Sequence, residues 1–183
     1  MTKTNSFTDP RDGKTYKTVK IGSQTWLAEN LSYNATGSEC YGSNPANSEK
    51  YGRLYAWETA LEACPAGWHL PSHEEWIKLT DHAGGEGIAG KKLKAASGWS
   101  ESGNGTDAYG FSALPGGYGI SDGYFYRAHN YGYWWSASES SGNAYSCYMH
   151  CGYDGTYWYN SSKSYLFSIR CVKDGKKHQR VYS

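Results

Sequence analysis

The stretch WETALEACPAGWHLPSHEEW, residues 57–76, decides how the chain is read. Its first half completes GRLYAWETALEACP, where Leu54, Trp57, Leu61 and Cys64 recur at helical spacing on one face, and Pro65 then removes a backbone donor and stops the helix. The second half carries a helix start. Ser72 and Glu75 form a Ser-x-x-Glu capping box, in which each side chain accepts from an otherwise unpaired amide of the first turn, and Trp76 and Leu79 follow as core positions. This second helix is expected to run to about Gly84-Gly85, and AGKKLKAASGW, residues 89–99, is compatible with a short third one.

Upstream, the turn signal DPRDG leads into KTYKTVKIGSQTWLAENL, two extended runs separated by Gly22-Ser23, which predicts a hairpin. Residues 32–50, rich in Ser, Asn and Gly, are expected to be a loop. Downstream, the Gly, Tyr and Trp pattern predicts short strands over roughly 109–119, 123–127, 132–138, 143–149, 155–159 and 165–173. An N-terminal hairpin, two main helices and an antiparallel β-rich C-terminal half make the expected class α+β. A chain of 183 residues suffices for one core, so residues 1–183 are read as a single domain.

Composition narrows the function. The formal net charge is +1, from 18 basic and 17 acidic residues, which excludes the broad charged footprint of a nucleic-acid binder. The basic KDGKK near the C-terminus reads as a solvated end. No apolar run approaches the ~20 residues of a spanning helix, and the N-terminus lacks the apolar core of a signal peptide, so no membrane insertion is expected. The chain holds 18 Tyr, 8 Trp and 23 Gly beside 4 Phe. Aromatics with a polar tip supply contact area at little entropic cost, which favours recognition over catalysis.

Trp57, Ala60, Cys64, Gly67, Leu70 and Glu75 resemble the start of the C-type lectin-like fold, where a W-x-x-A-x-x-x-C helix precedes a Gly, a Leu and a second helix with an early Glu. DGKTYKTVKIGSQTWLAENL, YGRLYAW, CPAGWHLPS, GTDAYGFSALPGGY, YWWSASE and FSIRCVKD resemble, more closely, the Fibrobacter succinogenes major paralogous domain, a bacterial member of that fold group, over about residues 9–174. The resemblance implies the lectin-like fold and a disulfide between Cys64 and Cys171, but no reaction. Family members also carry a cysteine at the position of Ser48 that pairs with the one at Cys40; its loss here implies that Cys40 is free.

Other motifs point away from chemistry. GEGIAG, residues 85–90, spells a dinucleotide fingerprint but follows a helix and is read as glycine-rich loop. His69 and His73 straddle Pro71 and share no helical face, and HEEWI has Ile77 where a zincin needs its second His. They are expected to be core or surface histidines. NPANSE and WWSAS lack the carboxylates of a lectin-type calcium site. A formylglycine-generating oxidase, another relative of the fold group, needs reactive cysteines, and only Cys147 and Cys151 stand near the right place without the motifs that would surround them. No metal or cofactor is expected.

SCYMHCGYDGTYWYN, residues 146–160, is the remaining puzzle. Cys147, His150 and Cys151 are ligand types that zinc accepts, but no fourth ligand is local. On a strand the two cysteines would stand ~13 Å apart, too far for a bridge. The window from His129 to Tyr165 offers a better account: it holds 8 of the 18 tyrosines and only three charged residues, Glu139, Asp154 and Lys163. Most of its amino acids are reachable from the codon AAC by replacing adenines; among residues 145–165 only Met149, Trp158 and Lys163 are not. In this the chain resembles the variable proteins made by diversity-generating retroelements. The expectation is a non-enzymatic binding domain displayed on a bacterial surface or phage tail. Tyr148, Tyr153, Tyr157, Trp158 and Tyr159 serve as anchors, with His150, Asp154 and Asn160 giving polar specificity toward a protein or glycan on another cell surface. The rival reading is an undiversified adhesion module for polysaccharide.

Overall fold

The computed structural model describes residues 5–175; Lys176 and Lys177 of KDGKK, and with them the reading of that tail, lie outside the described residues. Strand β1 (Asn5–Thr8) pairs with β2 (Thr15–Ile21) across the DPRDG turn, and β2 with β3 (Gln24–Leu27) across Gly22-Ser23, in the register Val19 opposite Trp26. The predicted hairpin is therefore the centre of a meander, and the sheet grows as β1-β2-β3-β12-β6 through β6 (Trp68–His69) and β12 (Val172–Lys173). β12 thus returns late in the chain to sit between β3 and β6.

Residues 32–50 are not the loop expected. They contain β4 (Ser38–Glu39), paired with β5 (Leu54–Tyr55), and α1 (Pro45–Tyr51). The helix has its start signal: Asn44 caps it by accepting from the Ala46 amide, and Pro45 occupies the first turn, where its missing donor costs nothing. α2 (Trp57–Ala63) buries Trp57, Ala60 and Ala63, leaving Leu61 exposed, so the expected apolar stripe is rotated. α3 (His73–His82) has the predicted box, Ser72 Oγ accepting from Glu75 N at 3.2 Å and Glu75 Oε2 from Ser72 N at 2.9 Å, with Trp76 and Leu79 buried.

α4 (Glu86–Leu93) corrects two expectations. Among the described residues the α-helices are four, not two main ones, and GEGIAG is largely helix rather than loop. Its glycine has a packing reason: a Cβ on Gly90 would meet the Gly155 carbonyl oxygen at 2.1 Å, so the 151–155 turn lies directly against the helix. Lys91 N donates to Asp154 O at 2.7 Å across the same contact.

In the C-terminal half, β7 (Tyr118–Gly119) pairs with β8 (Phe125–Tyr126), and β9 (Tyr131–Ser140), β10 (Asn143–His150) and β11 (Tyr157–Ser161) form a three-stranded antiparallel sheet with β10 in the middle. The long strands predicted over 109–119 and 165–173 shrink to their ends, with isolated bridges at Leu166, Phe167 and Ser168 in place of continuous pairing. The class is α+β, with antiparallel sheets throughout.

Two apolar cores flank β9. Trp134 joins Trp26, Trp76, Phe111, Cys147 and Met149 on one side; its neighbour Trp135 joins Tyr55, Trp57, Phe167 and Ile169 on the other. Successive strand side chains point to opposite faces, so adjacent tryptophans serve different cores. Between them Arg170 is wholly buried, and among the described residues no carboxylate pairs with it. Its guanidinium donates to Asn30 Oδ1 at 3.1 and 2.9 Å and to the carbonyls of Leu27, Phe111 and Ser112, while Trp134 Nε1 donates to the same Asn30 oxygen at 2.8 Å. Burial pulls the Arg170 pKa down to about 9, so the group is still charged at neutral pH and this ring of oxygens holds it. Cys64, at the end of α2, is disulfide-bonded to Cys171, beside β12, with a Cα–Cα distance of 6.0 Å. Cys40 is free and buried, its sulfur accepting from Arg53.

Candidate functional site

The sheet β11-β10-β9 has two faces of different chemistry. On the inner face Cys147, Met149 and Trp134 enter the first core. On the outer face strand alternation lines up Tyr131 and Tyr133 of β9, Tyr148 of β10 and Tyr159 and Ser161 of β11. Tyr118 from β7 and Tyr165 close the sides, Phe167 forms the floor, and the eight enclose a cavity of about 300 Å³. The second core thins outward into this cavity, since Tyr118, Tyr133 and Tyr165 pack against it.

The rings hold one another. Tyr133 lies parallel to Phe167 at 5.0 Å and to Tyr131 at 5.6 Å, meets Tyr118 edge-on at 5.3 Å, and Tyr148 stacks on Tyr157 at 5.3 Å. Offset and edge-to-face pairs of this kind are worth ~0.5–1.5 kcal/mol each beyond burial, so the pocket is set before any partner arrives. Burial, reinforced by neighbouring phenols, pushes Tyr133 far above the usual tyrosine range and moves Tyr118 and Tyr148 the same way. Burial also holds His150 below the ordinary histidine value. Tyr118, Tyr133 and Tyr148 thus keep their protons at neutral pH and are poorly matched to proton transfer.

The residues expected to bind divide between the two faces. Tyr148 and Tyr159 line the cavity. Tyr157, Tyr153 and His150 continue it along the rim, His150 at 4.3 Å from the Tyr131 ring and 5.0 Å from Tyr153, Tyr153 at 6.0 Å from Tyr157. Asp154 is exposed in the turn against α4. Trp158 points to the inner side, donating to Glu86 Oε1 at 2.9 Å and meeting His73 edge-on at 4.6 Å, and Asn160 shares its parity, away from the cavity. Residues 145–165 are therefore not one surface: Ser146, Cys147, Met149, Cys151, Thr156 and Ser161 are buried. Lys94 anchors the intervening turn from below, its Nζ donating to the carbonyls of His150 at 3.0 Å and Tyr153 at 2.8 Å.

The Cys-x-x-His-Cys cluster does not converge. Cys147 sits in the core, where burial pushes its thiol far up, and Cys151 Sγ lies 3.7 Å from His150 Nε2 and 4.0 Å from Glu101. Both cysteines are free, and among the described residues no group of three His, Cys, Asp or Glu is placed to hold a metal. Of the two histidines set aside, His69 is clamped between Asp174 at 2.7 Å and Glu75 at 3.0 Å, and His73 stacks on Tyr145 at 4.4 Å.

Tyr118, Tyr131, Tyr133, Tyr165 and Phe167 were not singled out from the sequence. The period-two spacing of Tyr131 and Tyr133 was the available signal for a shared face; Tyr118 and Phe167 arrive from other segments, carried by bridges Gly119–Leu166 and Tyr55–Phe167.

The model of the Fibrobacter succinogenes major domain matches residues 19–173. No curated protein matches the chain, and no solved structure does.

Proposed function

The chain belongs to the Fibrobacter succinogenes major domain family, and from that premise we propose that it is a non-enzymatic ligand-binding domain of C-type lectin-like fold, which takes a protein or glycan of another cell surface in its tyrosine pocket. One observation carries this reading: six tyrosines from four strands and the segment after β11 converge on one preformed cavity of about 300 Å³. That volume is at the lower end of known ligand pockets, ~300–1,000 Å³. Fixed aromatic side chains lose little freedom when they engage a partner. The buried, proton-retaining Cys147 is unsuited to the nucleophilic or redox role an oxidase would demand of it, which favours binding over catalysis.

Display on a bacterial surface or phage tail fits the Cys64–Cys171 bridge, since disulfides persist in oxidising surroundings. Among the described residues no helix is long and apolar enough to cross a membrane. If the segment is diversified, the burial pattern limits useful variation to outward positions such as Tyr148, Tyr153, Tyr157 and Tyr159, because Cys147 and Met149 fill core space. A near-copy of this coding segment beside a reverse-transcriptase gene would support diversification, and its absence would favour a fixed adhesion module. For the site itself, labelled protein titrated onto a panel of intact bacterial cells should bind through the pocket. Tyr148→Ala and Tyr159→Ala should each lower that affinity at least tenfold while the surface control Lys20→Ala leaves it unchanged; equal binding by all would place the site elsewhere.

A further inference from the structure

We infer that the occupant of the tyrosine pocket is an uncharged sugar ring, bound without calcium; this rests on the pocket being the binding site. The hydroxyls carry the argument. Four tyrosines of the framework spend theirs inside the fold: Tyr16 on Ser32 at 3.1 Å, Tyr55 on the Tyr33 carbonyl at 2.7 Å, Tyr51 on His129 and Tyr109 on the His82 carbonyl, both at 3.3 Å. Among the described residues, the hydroxyls of the six lining tyrosines take no protein partner. A cavity made only to present apolar area would be lined as well by phenylalanine, yet Phe167 at the floor is the one such residue. Each phenol both donates and accepts. A ring of them around stacked aromatic faces therefore matches a pyranose, which has apolar C–H faces and an equator of hydroxyls.

Charge excludes the competitors. No Asp, Glu, Lys or Arg lines the cavity, so a phosphate or carboxylate would be desolvated without a counter-ion. A quaternary ammonium would find ring faces but no carboxylate in the lining; Arg127, whose guanidinium sits 5.8 Å from the Tyr131 ring centre, stands outside the lining. The same lack of carboxylates leaves nothing in the lining to hold calcium. Upward-shifted phenols remain protonated donors across the neutral range.

The test is calorimetric titration, in EDTA, of the whole chain with neutral gluco-, manno-, galacto- and xylo-oligosaccharides, with an oligogalacturonate and with choline. At least one neutral series should bind, with the same affinity when calcium replaces EDTA. Tyr148→Phe and Tyr133→Phe, which keep the rings, should each weaken it about two- to tenfold, the loss of one neutral hydrogen bond. Binding of oligogalacturonate or choline alone, a calcium requirement, full affinity in the Phe variants, or no neutral sugar bound would each overturn the inference. The pocket reading fails separately, when Tyr148→Ala binds cells as the wild type does.

Discussion

Met149 and Tyr159 lie in adjoining strands of one sheet and belong to the same tyrosine-rich stretch, yet their substitutions should behave in opposite ways. Met149 has no exposed surface and fills space in the core around Trp26, Trp76 and Trp134, whereas Tyr159 is 60% exposed at the cavity edge. Truncating a buried methionine loses its transfer energy and leaves a hole that close-packed neighbours only partly fill, so Met149→Ala should cost ~2–5 kcal/mol. Tyr159→Ala removes no core atom and should stay within ~0.5 kcal/mol. In a chain of this size one kcal/mol moves the melting temperature by ~2–4 °C, so the expected shifts are ~4–20 °C against ~2 °C or less. Circular-dichroism melting of both variants with the disulfide intact measures them, and cell binding on the same samples should show the reverse order. Comparable melting losses, or a larger one for Tyr159→Ala, would refute the assignment of the two faces.

The Cys64–Cys171 bridge spans 107 positions, for which chain entropy gives ~4–5 kcal/mol, so the Cys64→Ala/Cys171→Ala pair should melt ~8–20 °C below the oxidised wild type; a shift under ~3 °C would remove the bridge from the account of stability. Arg170→Leu should cost ~3–5 kcal/mol in chemical denaturation, because Asn30 and the Leu27, Phe111 and Ser112 carbonyls lose a buried donor, and a cost below ~1 kcal/mol would mean that water replaces it. For His69, burial works against protonation, but the bonds to Asp174 and Glu75 outweigh it and raise the pKa above 6.5. A raised value means stability that is complete below the unfolded pKa and lost as pH rises through the folded one, so His69→Gln should lower the melting temperature at about pH 5.5 and hardly at about pH 9. The opposite pH order would contradict the clamp.

The capping box of α3 joins residues three apart, and the hairpin turn at Gly22-Ser23 joins neighbours, so their geometry follows from short-range bonds. α1 was legible too, in Asn44-Pro45, but its Ser- and Asn-rich composition argued for a loop and hid the start signal. Helical spacing on α2 predicts Leu61 inward because two overlapping faces are both apolar; which one is buried depends on what packs against it, and the buried one carries the small Ala60 and Ala63.

The sequence by itself determined the family, the α+β order of elements, the tryptophan core and the concentration of tyrosines near the C-terminus, since these rest on residue type and spacing along the chain. Tertiary structure alone decided which tyrosines share a cavity. A strand turns alternate side chains to opposite faces, so which face a residue joins is set by its pairing partner. That register sends Trp158 and Cys147 inward and Tyr148 and Tyr159 outward, and it brings Tyr118 and Phe167 to meet them from segments whose own neighbours hold no sign of the pocket.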